Sequence, residues 1–183
     1  MTTPSKTTTA GTARSARTSD RIDAIDLLTQ DHKNVKAMFE QYEALSDRSR
    51  VSKKRVATQI CLELTKHAMA EEEIFYPAVR AATGDNDLVD EATVEHASAK
   101  ELIDQILAMN PDEDLYDAQI TVLSEQIEHH VQEEESDMFP KARKAKLDLD
   151  ALGAAIEARK AEIQFSALQK SSPAPMSQAS VSG

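Results

Sequence analysis

The feature that most restricts the fold is a polar pair placed where a helix should be apolar, and placed there twice. His67 and Glu71 lie four residues apart in a segment that runs on to Pro77, and His130 and Glu134, running on to Pro140, repeat the pattern sixty-three residues later. Four residues along an α-helix are a rotation of about 400° and a rise of about 6 Å, so each pair projects from one face, one turn apart. A second repeat accompanies the first: Thr29 to His32 matches Thr93 to His96 at an offset of sixty-four. Two helix pairs, each bearing a histidine and then a His-x3-Glu pair, predict an all-α, up-down-up-down four-helix bundle with pseudo-twofold symmetry.

Apolar periodicity supplies the boundaries. Helix one is predicted from an N-cap at Asp20 to about Leu45, with Ile22, Ile25, Leu28, His32, Val35, Phe39 and Tyr42 on one face. Helix two runs from about Ser52 to Ala82 on the stripe Val56, Ile60, Leu64, His67, Glu71, Ile74 and Ala78. Pro77 should kink or fray its last turns, and Gly84 should stop it. Helix three, about Asp87 to Met109, turns Leu88, Ala92, His96, Ala99, Ile103 and Ile106 inward. Helix four starts near Asp112 and carries Tyr116, Ile120, Leu123, Ile127, His130, Glu134 and Met138. An additional C-terminal helix is expected within 147–169, with Leu152, Ile156, Ile163 and Leu168 in looser spacing. Residues 1–19 and 170–183 have no apolar period and are expected to be disordered tails, which leaves 20–146 as the bundle.

The length of 183 residues suits one domain with tails. A net charge of −11 opposes nucleic acid or an anionic membrane as a partner, because either would meet repulsion over most of the surface. The single cysteine, Cys61, excludes an internal disulfide, a thiolate zinc site and a CxxC pair, and fits a reducing compartment as a packed thiol. With no apolar run of membrane-spanning length and no secretory leader pattern, a cytoplasmic location is expected.

Any one of the inward histidines reads equally well as a core imidazole satisfied by a carbonyl or a water. Glu71 and Glu134 do not, since an unpaired buried carboxylate costs several kcal/mol. Together His32, His67, His96, His130, Glu71 and Glu134 form a set that a dry core holds only with added positive charge. Two metal ions supply it, each taking two histidines and sharing the two glutamates, with positions left for an oxo or hydroxo bridge and an exogenous ligand. Nitrogen and oxygen without thiolate are typical of non-haem iron, ahead of manganese or zinc. His129, one residue off the stripe, is expected at the surface. Tyr42, Tyr76 and Tyr116 are expected in the core, with Tyr76 nearest the motif in sequence and able there to hydrogen-bond a bound peroxide.

These residues resemble the hemerythrin-like, or HHE cation-binding, family over roughly residues 22–145. The resemblance rests on Asp31-His32, His67-x3-Glu71 with Phe75-Tyr76-Pro77, Glu95-His96, and His130-x3-Glu134 with Met138-Phe139-Pro140. It implies a di-iron centre with the four histidines as terminal ligands and Glu71 and Glu134 as bridges. Oxygen-carrying members have a further histidine where this chain has Lys100 and a bridging aspartate in the fourth helix. The set here is closer to the branch that includes iron-centre repair and stress-linked proteins, although the CxxC module usual in repair proteins is missing. The expected function is a di-iron protein that binds or reacts with O2, H2O2 or NO in oxidative or iron stress, with peroxide decomposition as its enzymatic form. Iron donation or storage without turnover is the alternative, and a metal-free structural bundle the third.

Overall fold

The computed structural model describes residues 22–171, with side chains through residue 164. Among these, every regular element is helical: α1 (Ala24–Glu43), α2 (Arg50–Ala70), α3 (Tyr76–Thr83), α4 (Asn86–Ala108), α5 (Tyr116–Glu133), α6 (Phe139–Lys144) and α7 (Leu149–Ser171). Single π-helical turns, Glu71–Phe75 and Glu134–Met138, join α2 to α3 and α5 to α6 into two continuous rods. With α1 and α4 these rods make the expected four-helix bundle, and α7 packs outside it against α1, α2 and the first π-turn. Of the expected tails 1–19 and 170–183, residues 1–19 and 172–183 lie outside the described residues, whereas Lys170 and Ser171 are not tail but the last residues of α7.

Two apolar layers fill the bundle. One contains Val35, Phe39, Val56, Ile60, Leu64, Ile103, Ile106, Ile120 and Leu123. The other contains Ile25, Leu28, Phe75, Tyr76, Val79, Val89, Met138, Phe139 and Ile156. Along α1 and α4 the chain passes from the second layer to the first, and along α2 and α5 from the first to the second. This reversal is what antiparallel neighbours produce. In α1, α2, α4 and α5 the inward histidine falls between the two layers.

Several predicted boundaries and faces move. Asp20 lies outside the described residues, and the observed N-cap of α1 is Asp23, whose carboxylate accepts from the Asp26 amide at 2.9 Å. Ile22 therefore precedes the helix and is 60 % exposed instead of joining the stripe. Helix four begins at Tyr116, not near Asp112, because the Asn110 amide donates to Glu113 Oε1 and Leu115 takes a positive φ of 73°. Val89 rather than Leu88 is the buried residue in the first turns of α4. Gly84 ends α3 as expected, at φ 71° with its amide on Arg80 O.

Pro77 does not fray its helix, which continues through it to Thr83. Proline lacks an amide proton and clashes with the carbonyl four residues back, and a π-turn, which closes on the fifth residue back, widens the rod at that point. Tyr76 N–H accordingly donates to Glu71 O, and before Pro140 the Phe139 N–H donates to Glu134 O. The extra residue shifts the register by one, so Phe75, Tyr76 and Val79 are buried where regular spacing predicts Ile74 and Ala78.

On α7, Ile156 is fully buried, whereas Leu152 and Ile163 are only partly covered. The side chain of Leu168 lies outside the described residues. Gly153 sets how closely α7 approaches α1: a Cβ there would lie 2.7 Å from Ile22 O and 3.0 Å from Ala24 N, both backbone atoms unable to yield cheaply. Gly153→Ala is therefore expected to lower stability by about 1–3 kcal/mol, the usual cost of overpacking. Thermal unfolding of the variant checks this, and an unchanged or raised midpoint would contradict the packing described.

Candidate metal centre

The polar layer between the two cores brings together all six residues singled out from the sequence. Glu71 and Glu134 are 0 % and 1 % exposed, and His32, His67, His96 and His130 are buried around them. The Nε2 atoms of His32 and His67 are 3.2 Å apart and those of His96 and His130 3.0 Å apart, so the imidazoles form two pairs. Glu71 Oε2 lies 3.0 Å from His67 Nε2 and 3.5 Å from His96 Nε2, one member of each pair. Glu134 Oε2 does the same from the other side, at 3.3 Å from His32 Nε2 and 3.6 Å from His130 Nε2. Two donor groups of metal-binding dimensions result, one of His32, His67, Glu71 and Glu134 and one of Glu71, His96 and His130, with Glu71 common to both.

The outward Nδ1 of each imidazole faces a carboxylate oxygen. Glu135 lies 2.9 Å from His32, Asp31 3.3 Å from His67, Glu72 3.0 Å from His96 and Glu95 2.7 Å from His130. An ionised carboxylate only accepts, so these contacts place a ring proton on Nδ1 and turn Nε2 inward, where it can hold a second proton or a metal, the orientation of metal-ligating histidines. The carboxylates are themselves braced: Lys100 donates to both oxygens of Glu72 at 2.7 and 2.6 Å, and Lys160 of α7 pairs with Asp31.

Both oxygens of Glu71 and Oε2 of Glu134 are buried without a hydrogen-bond partner. The 3.0 Å approach of His67 Nε2 to Glu71 is close enough for an ion pair but is not aligned as a hydrogen bond. Four inward nitrogens and two under-satisfied carboxylates fit a pair of cations, which would satisfy all of them at once.

Proton chemistry without metal points the same way. Burial opposes charge on His67, but the Glu71 and Asp31 carboxylates outweigh it and push the imidazole up to about 10. His130 is also raised, by Glu134 and Glu71 against its burial. Burial and the charge of His130 drive His96 down to about 3. Burial and the neighbouring Glu134 push Glu71 up, whereas Glu134, though equally buried, is held down by His32 and His130. Without metal the layer therefore shares its charge among protons.

Tyr76 belongs to this layer, which regular helical spacing does not foretell. Its hydroxyl donates to Glu134 Oε1 at 2.9 Å and lies 3.3 Å from His96 Nε2, with its ring stacked on that imidazole. Burial, with Glu71 and Glu134 nearby, raises the phenol well above its ordinary value, so it keeps its proton. The signal that could have found it is the aromatic residue directly before Pro77, since a proline there calls for the π-turn that rotates residue 76 inward. Its repeat mate, Phe139, stacks on His32 and has no hydroxyl. His129 is exposed as expected, Tyr42 and Tyr116 lie in the core layer away from the centre, and Cys61 is a packed thiol that burial pushes up to about 12. A small cavity of about 20 Å³ abuts the centre, walled by Val35, Leu64, Ala99, Ile103, Ile127 and Lys100 among others.

Residues 23–142 match the family model described as hemerythrin HHE cation binding domain. A crystal structure of a hemerythrin HHE cation-binding domain-containing protein from Mycobacterium kansasii superposes with a TM-score of 0.70 at 26 % identity, covering 81 % of this chain and 91 % of that one. A curated protein named DNA nickase, from a Nostoc strain, is 32 % identical over 118 residues. That match takes in 64 % of this chain, which spans about a third of the relative's length. No described helix is long and apolar enough to cross a membrane.

Metal loading should displace the protons that balance the layer. Addition of Fe(II) or Zn(II) to metal-free protein at pH 7.5 is expected to release protons, read by an indicator dye, and no release would contradict the charge pattern above. In the metal-free state His67's share of stability is full below 6.5 and is lost as pH rises through about 10, because its folded value is the raised one.

Proposed function

Because the chain belongs to the hemerythrin HHE cation-binding family, we propose that its buried layer holds two iron ions. His32 and His67 serve one, His96 and His130 the other, and Glu71 and Glu134 lie between them. The observation that carries this reading is Glu71, whose two oxygens are both buried and unpartnered within reach of both histidine pairs. A proton satisfies one such oxygen, and a pair of shared cations satisfies both. Manganese or zinc suits this donor set less well than iron.

Bound iron would supply the one-electron and oxygen chemistry that imidazole and carboxylate lack. The chain's own residues then decide what reaches it. A cavity of about 20 Å³ has room for one small molecule and no organic substrate, which supports O2, H2O2 or NO as the ligand and a role in oxidative or iron stress. Tyr76, in the apolar layer on the far side from that cavity's walls, keeps its proton and donates it to Glu134 beside His96, which holds that carboxylate in place. Lys100, on the cavity wall, holds Glu72 against His96 and so fixes that ring.

Near-complete burial of the ligands and the carboxylate behind each imidazole favour retained iron over a labile store or donor. A DNA substrate, suggested by the name of the Nostoc relative, is opposed by the net charge of −11. The proposal predicts that iron-loaded protein evolves O2 from added H2O2. Tyr76→Phe should retain its iron and lose roughly tenfold in rate, the scale of one hydrogen bond removed from a buried carboxylate. A wild-type rate no better than that of the same iron free in solution would reject peroxide turnover.

A further inference from the structure

Outside the buried layer, a second set of metal-ligand atoms converges at the surface. His129 Nε2 lies 3.4 Å from Glu133 Oε1, one turn along α5, and 3.8 Å from Glu95 Oε1 on α4. Donor atoms bonded to one ion at 2.0–2.2 Å are about 3.0–3.6 Å apart, so this triad needs only small side-chain rotations to share one. The set of one imidazole and two carboxylates, with water completing the shell, suits a divalent transition ion better than Mg2+ or Ca2+, which prefer oxygen alone.

Two further observations distinguish this triad from an ordinary charged surface. Glu95 is shared: while Oε1 faces His129, Oε2 lies 2.7 Å from His130 Nδ1, so one carboxylate touches both the exposed triad and an imidazole of the buried layer. A cleft of about 260 Å³ between α4 and α5 is lined by Glu95 and His129 and also by His96 and His130. The repeat mates of Glu95, His129 and Glu133 are Asp31, Lys66 and Ala70. There Lys160 of α7 already pairs with Asp31, and Lys66 donates to Gln164 at 2.9 Å. Lysines and α7 thus close to cations the face that would match, while the α4/α5 face stays open.

We infer that His129, Glu133 and Glu95 form an outer site for a divalent transition-metal ion, through which metal exchanges with the buried centre along the α4/α5 cleft. A hydrated ion must shed water to enter a dry layer, and the triad replaces that water with protein donors while the ion is still at the surface. Glu95 then offers the same carboxylate to the outer ion and to His130. The route rests on the buried centre holding metal, and the outer site does not.

The test uses the full chain as purified, with whatever metal it carries, and two variants, His129→Ala at an exposed position and Glu133→Gln at a half-buried one. Glu95 is left intact because it supports His130. Co(II), followed by its visible absorption, is expected to occupy one additional weak site in the wild type and to bind about tenfold weaker or not at all in either variant. Release of iron to a chelator under reducing conditions should be several-fold slower in both, with unchanged melting curves. Co(II) binding that is indifferent to His129 overturns the outer site, and an unchanged release rate overturns the route. Purified protein with no buried metal would defeat the di-iron reading but leave the Co(II) result to stand or fall alone.

Discussion

Everything in this structure depends on holding two glutamates in a layer that water does not reach. Glu71 and Glu134 sit between apolar layers, and without compensation each would cost several kcal/mol. Four imidazoles answer that charge, one from each helix of the bundle, and four outer carboxylates set the orientation and tautomer of each ring. The bundle geometry follows from the same requirement. Each helix changes from one apolar layer to the other across its polar residues, so a shift in helix register would bring a carboxylate into a hydrophobic layer.

The twofold repeat is imperfect at the places that matter for chemistry. Tyr76 puts a hydroxyl on His96 and Glu134, while Phe139 presents only a ring to His32. Asp31 behind His67 is neutralised by Lys160 of α7, whereas Glu95 behind His130 looks toward the exposed His129. α7 lies beyond the matched residues 23–142, yet it reaches the centre through Asp31 and braces Glu73 through Arg159. The two halves of the layer therefore differ in proton supply and in outer charge, which gives a pseudo-symmetric scaffold two inequivalent positions.

The bundle and its six inward polar residues were legible in the sequence because their signal is periodic: His32, His67, His96, His130, Glu71 and Glu134 share the spacing of the apolar stripes. What was not legible depends on a local departure from that period. The π-turns before Pro77 and Pro140 shift the following register by one residue, exchanging Ile74 and Ala78 for Phe75, Tyr76 and Val79. The place of Tyr76 in the centre is a consequence of that shift. The N-cap at Asp23 and the late start of helix four at Tyr116 turned on single hydrogen bonds and one positive φ, which composition does not encode. Lys160 was out of reach for a different reason: its contact with Asp31 spans 129 residues of sequence.

The central claim, that a shared pair of cations answers the buried carboxylates, is tested most directly by counting metal in aerobically purified protein, wild type beside a Glu71→Gln, Glu134→Gln double variant. Gln keeps the shape and removes the charge. About two irons per chain are expected in the wild type, the number its two donor groups accommodate, and almost none in the double variant. Fewer than about one metal per wild-type chain, or equal metal in both proteins, would contradict it.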